Sequence, residues 1–256
     1  MDKNKSRDKG KSKTRNKGKT GSRNKNINKN INKNIGMEGK IMNNNNTAKS
    51  PGGKVEGIST ITGGIYDEIR IDGVCTVEGD LEAESLNIHG VCTCKGNVSA
   101  ASFACDGVLT VHGNLKGGTI DIDGVVTVHG SKVEANRIDC DGVLTVNGGE
   151  VSADIVDADG SISAAEIVGD QIKIKSYRKN GFVKMLFKLG EKMNMKLSVI
   201  DLIEGTTVEL QGVIAKSVNG KDVYIGKNCE IERVDASGEL KIHPSAIIAG
   251  VAGGTI

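Results

Sequence analysis

The stretch Ile71-Asp72-Gly73-Val74-Cys75-Thr76-Val77-Glu78-Gly79 recurs along this chain of 256 residues at an almost constant spacing. Related stretches run over 88–96, 105–113, 122–130 and 140–148, and a weaker copy starts at Ala158. The first glycines of the copies, 17 or 18 residues apart, are Gly73, Gly90, Gly107, Gly124, Gly142 and Gly160. A repeat this short cannot enclose its own core, but it can form one coil of a β-solenoid that neighbouring coils cover.

Each repeat contains three short strand-like pieces, which in the first copy are 74–78, 80–84 and 86–88. Alternation places one set of side chains on a single face: Ile71, Cys75, Val77, Leu81 and Ala83. Gly73 and Gly79 mark turns, because glycine tolerates positive φ and leaves room at a corner. The pattern predicts an all-β, parallel, three-sided β-helix of 17–18 residues per coil, with coils about 4.8 Å apart.

Aligned repeats predict columns of stacked side chains. One column is threonine, at Thr76, Thr93, Thr110, Thr127 and Thr145, and another is aspartate, at Asp72, Asp106, Asp123, Asp141 and Asp159, with His89 as the exception. We expect each Asp side chain to accept a hydrogen bond from the turn that follows it. The cysteines in the repeats share columns with Val, Ile and Leu, which favours small core residues over metal or redox groups.

Composition divides the chain into an N-terminal tail and a repetitive body. Residues 1–36 carry 13 Lys or Arg and 2 Asp, a net charge of +11, whereas the remaining 21 basic and 30 acidic residues give −9. We predict that residues 1–62 form a disordered, Lys/Asn-rich tail, because their apolar area is too small to offset the entropy of ordering. The first group of coils is predicted over 63–175.

The repeat is interrupted at 176–196, a segment of net charge +5. Its helical spacing of apolar residues and its lysine stripe predict a basic amphipathic insertion that contacts a membrane or a partner, or packs on the flank of the coils. The predicted contact residues are Phe182, Lys184, Met185, Leu186, Lys188 and Leu189. Coils are predicted to continue over 197–250, where Gly220 and Gly238 restore the 18-residue spacing, giving roughly eight or nine coils.

Motifs for catalysis are absent from the sequence. It contains no Walker loop, no nucleophile elbow and no paired carboxylates in distinct settings. His112 and His129 stack without a repeated third ligand, so we expect neither a metal site nor a cofactor. The chain also has no run of 18 apolar residues and no secretory signal, which predicts a cytoplasmic protein, with its basic segments as candidates for association with a membrane.

The repeat Ile-Asp-Gly-Val-x-Thr-Val-x-Gly, with following units such as 79–86, resembles that of the bactofilins, and most resembles the longer forms of Gram-positive bacteria. The resemblance covers about residues 63–240, including Gly63-Gly64-Ile65-Tyr66-Asp67 and the stretch 220–232. It implies a right-handed β-helix and a non-enzymatic cytoskeletal scaffold that polymerises end to end without nucleotide. The insertion and the long tail depart from the short core forms of the family.

The predicted partner is therefore a second copy of the chain. An anionic membrane and envelope or motility proteins are further candidates, and nucleic acid is not expected. The predicted polymer interface lies at the two ends of the solenoid: Ile65, Tyr66, Ile69 and Ile71 at one, and Leu240, Ile242 and Ile247 at the other. Two alternatives stay open. One is a monomeric β-helix binding module. The other is a β-helix acyltransferase, which is favoured by the 17–18-residue spacing and by the hexapeptide-like stretch 225–231.

Overall fold

The structure is a computed structural model that describes residues 50–176 and 200–255, all within one compact unit of the chain. These residues form one parallel sheet of 17 strands, wound as a β-solenoid of about ten turns. The strands are β1 Gly53–Val55, β2 Ile58–Ile71, β3 Val74–Ile88, β4 Val91–Cys94, β5 Val98–Cys105, β6 Val108–Val111, β7 Leu115–Ile122, β8 Val125–Val128, β9 Lys132–Cys140, β10 Val143–Val146, β11 Glu150–Ala158, β12 Ser161–Ser163, β13 Glu166–Lys175, β14 Ile200–Gln211, β15 Ile214–Ile225, β16 Glu230–Ile242 and β17 Ile247–Thr255.

Strand register confirms that residues one repeat apart are neighbours on adjacent coils. The five threonines of the predicted column lie side by side on β3, β4, β6, β8 and β10. One column of inward residues runs without interruption through the described coils: Val55, Ile71, Ile88, Cys105, Ile122, Cys140, Ala158, Ile174, Leu210, Ile225 and Ile242. The fold class predicted from the repeat is therefore confirmed.

Each coil has three sides, and each side points two residues inward. In the coil 91–105, β4 is the first side, and the two halves of β5 are the second and third sides. Their inward pairs are Cys92 and Cys94, Val98 and Ala100, and Phe103 and Cys105, and all six side chains are buried. The interior is narrow and stacked, so it fills with Val, Ile, Leu, Ala and Cys. Phe103 is the largest of the fully buried side chains.

Turn amides at the corner between the third and first sides are satisfied by the preceding coil. The N–H groups of Asp106 and Gly107 both donate to the carbonyl of Ile88, at 2.9 and 3.1 Å. The predicted hydrogen bond from the turn to the Asp side chain is therefore wrong in these turns. Neighbouring charged groups pair with some of these aspartates instead, as Arg70 does with Asp72 at 3.0 Å.

Strand structure begins earlier and ends later than the sequence indicates. β1 and the first part of β2 lie inside the predicted disordered tail 1–62, because residues 50–55 pair with β2 as a further coil. β17 extends to Thr255, beyond the predicted end at residue 250. Gly220 aligns with Ala236 rather than with Gly238, since coils in this part of the chain are shorter than 18 residues. The handedness of the coil stays a prediction.

The predicted insertion falls between β13 and β14, which pair with each other. Glu166 on β13 aligns with Leu202 on β14, a step of 36 residues where neighbouring steps take 15 to 18. The coils on both sides nevertheless stay in contact: Asp201 N–H donates to the Ala165 carbonyl at 2.8 Å, and Ser176 N–H donates to the Gln211 carbonyl at 3.0 Å. The predicted contact residues Phe182, Lys184, Met185, Leu186, Lys188 and Leu189 lie outside the described residues.

Candidate functional site

The predicted N-terminal end of the solenoid is covered by a coil that sequence reasoning missed. Ile69 and Ile71 align with Gly53 and Val55 of β1 and are buried. Tyr66 bridges to Ser50, and its buried hydroxyl donates to the Thr62 carbonyl at 2.9 Å. Burial raises the pKa of Tyr66 above its usual value.

Three of the four residues predicted for this end are thus interior residues, and the fourth, Ile65, is half-buried. The correction has a simple cause, because the covering coil comes from a stretch rich in Gly, Lys and Ser. A signal was nevertheless present in the spacing, because Val55 lies 16 residues before Ile71, which is close to one repeat.

The C-terminal end presents core residues to the outside. Ile242 and Val251 continue inward columns whose previous members, Ile225 and Val234, are 2% and 0% exposed. Ile242 is itself 39% exposed and Val251 is 47% exposed, and Ile247, at an outward position of the same strand as Val251, is 67% exposed. The interior stack therefore stops at this end with an apolar surface, which we call the C-terminal end surface (Ile242, Ile247 and Val251).

Two of the three residues predicted for this end belong to that surface. The third, Leu240, lies on the same strand as Ile242 and aligns with Val223 of β15, but it is buried, with 2% of its surface exposed. Val251 was missed because the prediction ended the coils at residue 250. The sequence nevertheless contained a signal for Val251, because Ile248 and Val251 are spaced like Ile231 and Val234 of the preceding coil.

Backbone geometry adds a second feature to the C-terminal end surface. Among the described residues, β17 pairs with β16 alone, so its other edge presents amide and carbonyl groups to the outside. An open parallel edge beside exposed apolar side chains is the arrangement that accepts another strand.

Charged groups near this end are paired with one another. Lys241 Nζ lies 2.6 Å from Glu239 Oε1, and the Tyr224 hydroxyl donates to Glu239 Oε2 at 2.8 Å. These bonds, led by the one from Lys241, lower the pKa of Glu239 below its usual value. The hydrogen bond to Glu239 in turn raises the pKa of Tyr224. Because these polar groups bond to one another, the exposed apolar side chains are the main feature of this end that a second molecule could contact.

A shallow groove follows the corner between the second and third sides. Its floor is a column of small residues, including Ala100, Gly117, Ala135 and Ala153. The groove has volumes of 520 Å³ and 710 Å³ in two stretches, with carboxylates, amides and lysines on its rims. It is the surface that a monomeric binding module would use.

The cysteines behave as the core residues that their columns predict. All six are free thiols and all are buried. Burial raises the pKa of Cys105 and of Cys140 to about 12, which removes the thiolate that metal binding and redox chemistry need. In residues 50–176 and 200–255, no group of three His, Cys, Asp or Glu side chains is placed to hold a metal ion.

His112 and His129 stack as neighbours on adjacent coils, as the repeat predicts. Their ring centroids are 5.3 Å apart, and the next residue in the column, Asn147, lies within 2.9 Å of His129 Nδ1. The contact is a ladder of side chains on the first side.

The part of the chain that the structure describes contains no helix long and apolar enough to cross a membrane. The chain is similar to the uncharacterized protein YhbE of Bacillus subtilis (strain 168), with 38% identity over 65 residues. The match spans 25% of this chain and 27% of that protein, so the similarity covers about a quarter of each. No family model and no solved structure matches the chain.

Proposed function

We propose that this protein is a non-enzymatic scaffold of the bactofilin type that assembles with copies of itself through the ends of its solenoid. The observation that carries the proposal is the exposure of core-column residues Ile242 and Val251 at the C-terminal end surface. The confirmed β-solenoid is a fold consistent with such a role, and the repeat pattern adds the resemblance to the family.

Assembly of this kind requires no separate binding site. Burying a fully exposed aliphatic side chain contributes about 1.5–3 kcal/mol, and Ile242, Ile247 and Val251 would each recover the part that corresponds to their exposed 39 to 67%. The open edge of β17 supplies hydrogen-bonding groups in the same plane, so the added chain continues the sheet. Contacts between ends that do not close into a ring give filaments.

Nucleotide and metal have no part in this mechanism, and the proposal includes no catalytic residue or cofactor. The scaffold would act in the cytoplasm, and the basic residues of the N-terminal segment and of 176–196 would attach it to an anionic membrane or to envelope and motility proteins. Attachment and assembly would use different parts of the chain, because the three residues that define the C-terminal end surface are apolar.

The test is a charge at the C-terminal end surface. Val251→Arg should shift the protein from the high-speed pellet to the supernatant and remove filaments from electron micrographs, because a guanidinium would be buried without a partner. Val74→Arg is the matched control, since Val74 is a valine with the same exposed fraction of 47% on the first side of a coil. It should leave filaments in the high-speed pellet and in electron micrographs, as wild-type protein does.

Circular dichroism must show the same β content for both variants. A wild-type protein that stays monomeric at high concentration without nucleotide would contradict the proposal and favour a binding module that uses the groove. Equal pelleting of Val251→Arg and wild-type protein would show that assembly uses another surface.

A further inference from the structure

Two adjacent outward columns on the first side of the solenoid carry no charge, and a third outward column, which includes Glu78, Lys95 and His112, borders them. The two uncharged columns, which we call the valine-threonine face, are Ile58, Val74, Val91, Val108, Val125 and Val143, and Thr60, Thr76, Thr93, Thr110, Thr127 and Thr145. The first four residues of the valine column are 40 to 78% exposed, and the last two are half-buried. Every residue of the face is β-branched and uncharged.

The outward positions are more uniform than the inward positions of the same strands. Inward, the column beside this face reads Cys75, Cys92, Leu109, Val126 and Leu144, so the core accepts different shapes. Outward, valine and threonine recur from Val74 to Thr145 although core packing does not require them. Strand propensity favours both residue types, but it does not require an apolar residue at a position that is nearly half exposed.

The other two sides differ in chemistry. On the third side, outward positions include Arg137, Asp139 and Asp157, and on the second side they include Glu82, Lys116 and Glu134. Charged outward residues are one device that keeps sheets from associating. The valine-threonine face lacks that device over six successive coils.

We propose that the valine-threonine face is a lateral contact between two copies of this chain, which joins neighbouring filaments side by side. A second copy is the occupant that fits, because an uncharged face offers no attraction to nucleic acid, to anionic lipid or to a charged peptide. About a twofold axis that crosses the face, the valine column of one copy lies on the valine column of the other. This inference rests on the proposed function in one respect, since filaments supply the repetition.

The size of the face explains why repetition is needed. Six coils span about 24 Å and two columns about 13 Å, so the face offers about 300 Å² per copy. A stable interface buries about 800 Å² per partner, so two isolated subunits should separate readily. Subunits linked end to end present the face repeatedly, and tethered contacts of this kind add up.

The first experiment places charge on the face. Val91→Lys with Val108→Lys should leave filaments intact in the high-speed pellet and abolish bundles, seen as loss of the low-speed pellet and as single filaments in electron micrographs. The matched control is Ser102→Lys with Thr119→Lys, two adjacent exposed positions on the third side of the corresponding coils. Bundles that persist in the face variant, or that vanish equally in the control, would overturn the lateral contact.

The second experiment introduces a surface thiol. All six native cysteines are buried, so they should not compete with the introduced thiol for disulfide formation. Thr110→Cys, near the middle of the face, should give a disulfide-linked dimer under mild oxidation in several-fold greater yield than Ser102→Cys. The dimer forms only if the two faces meet, and it does not require filaments.

The two proposals therefore fail separately. Filaments with equal crosslinking of both thiols would overturn the lateral contact and leave end-to-end assembly standing. Absence of filaments with preferential crosslinking at Thr110→Cys would overturn end-to-end assembly and support the face.

Discussion

At the corner between the third and first sides, the coils from Gly73 to Gly160 require glycine because the preceding coil lies so close. A Cβ atom on Gly107 would lie 2.0 Å from the Gly90 carbonyl oxygen, and Gly124 meets Gly107 in the same way. None of these corner glycines has a φ angle in the left-handed region. The close approach of two backbones, rather than a special turn conformation, therefore fixes the residue type.

Gly107→Ala is expected to lower the free energy of unfolding by about 1–3 kcal/mol, because the coils must separate to admit a methyl group. Urea denaturation followed by circular dichroism measures the change. Gly250→Ala is the control, since the nearest atom to its added Cβ lies 3.6 Å away, at ordinary contact distance. Identical denaturation midpoints for the two variants would show that the coils accommodate the methyl group with no loss of stability.

At the residue scale, sequence reasoning identified positions better than it identified partners. The threonine and cysteine columns were correct because a constant spacing fixes which residues are neighbours. The corner glycines were located correctly, but positive φ holds only at positions such as Gly79, where φ is 104°. The Asp106 turn differs from its prediction because spacing alone does not reveal that the preceding coil already offers an acceptor, the Ile88 carbonyl.

At the scale of the strand and its corners, side chains replace backbone acceptors at the corner between the first and second sides. Asp80 Oδ1 accepts from the Asn97 N–H at 2.7 Å, and Asn97 Oδ1 accepts from the Asn114 N–H at 2.9 Å. The series ends where Asn114 Oδ1 accepts from the Lys132 N–H at 3.1 Å. These bonds keep adjacent coils in register at a point where strand pairing lapses.

Asn97→Ala should destabilise the protein by about 0.5–1.5 kcal/mol, near the lower limit because water can reach this exposed corner. Thermal or urea unfolding of the monomeric Val251→Arg background would measure it without interference from assembly. Asn136→Ala provides the comparison, because Asn136 is exposed and its side chain makes none of the described hydrogen bonds. An equal effect of both substitutions would argue that the corner bonds add nothing to stability.

This corner ladder and the coil at 50–55 show where sequence reasoning stops at this scale. The ladder residues Asp80, Asn97 and Asn114 keep the repeat spacing, but their acceptor role depends on how closely two turns approach. β1 was assigned to the tail because Lys and Gly dominate its surroundings, whereas pairing with an existing strand compensates for weak intrinsic propensity. An edge that is already formed can recruit residues that would not form a strand alone.

At the scale of the whole molecule, a solenoid is stabilised coil by coil, because each coil contacts only its neighbours. A coil at an open end has one neighbour instead of two, so it should open more often than an interior coil. Cys229 reports on this end: it is 1% exposed, and its carbonyl accepts from the Ile247 N–H of β17 at 2.9 Å. Cys105 lies deep in the first group of coils and serves as the internal comparison.

In the dispersed protein, Cys229 should react with a thiol reagent faster than Cys105, since labelling requires that β17 first detaches. Assembly through the C-terminal end surface supplies the missing neighbour, so labelling of Cys229 should slow when the protein concentration is raised into the filament range, whereas Cys105 should be unaffected. Val251→Arg should keep the fast rate at every concentration. Mass spectrometry of the labelled peptides measures both sites in one sample. A Cys229 rate that does not change on assembly would mean that filaments grow without covering β17, and the contact would then have to lie elsewhere on the solenoid.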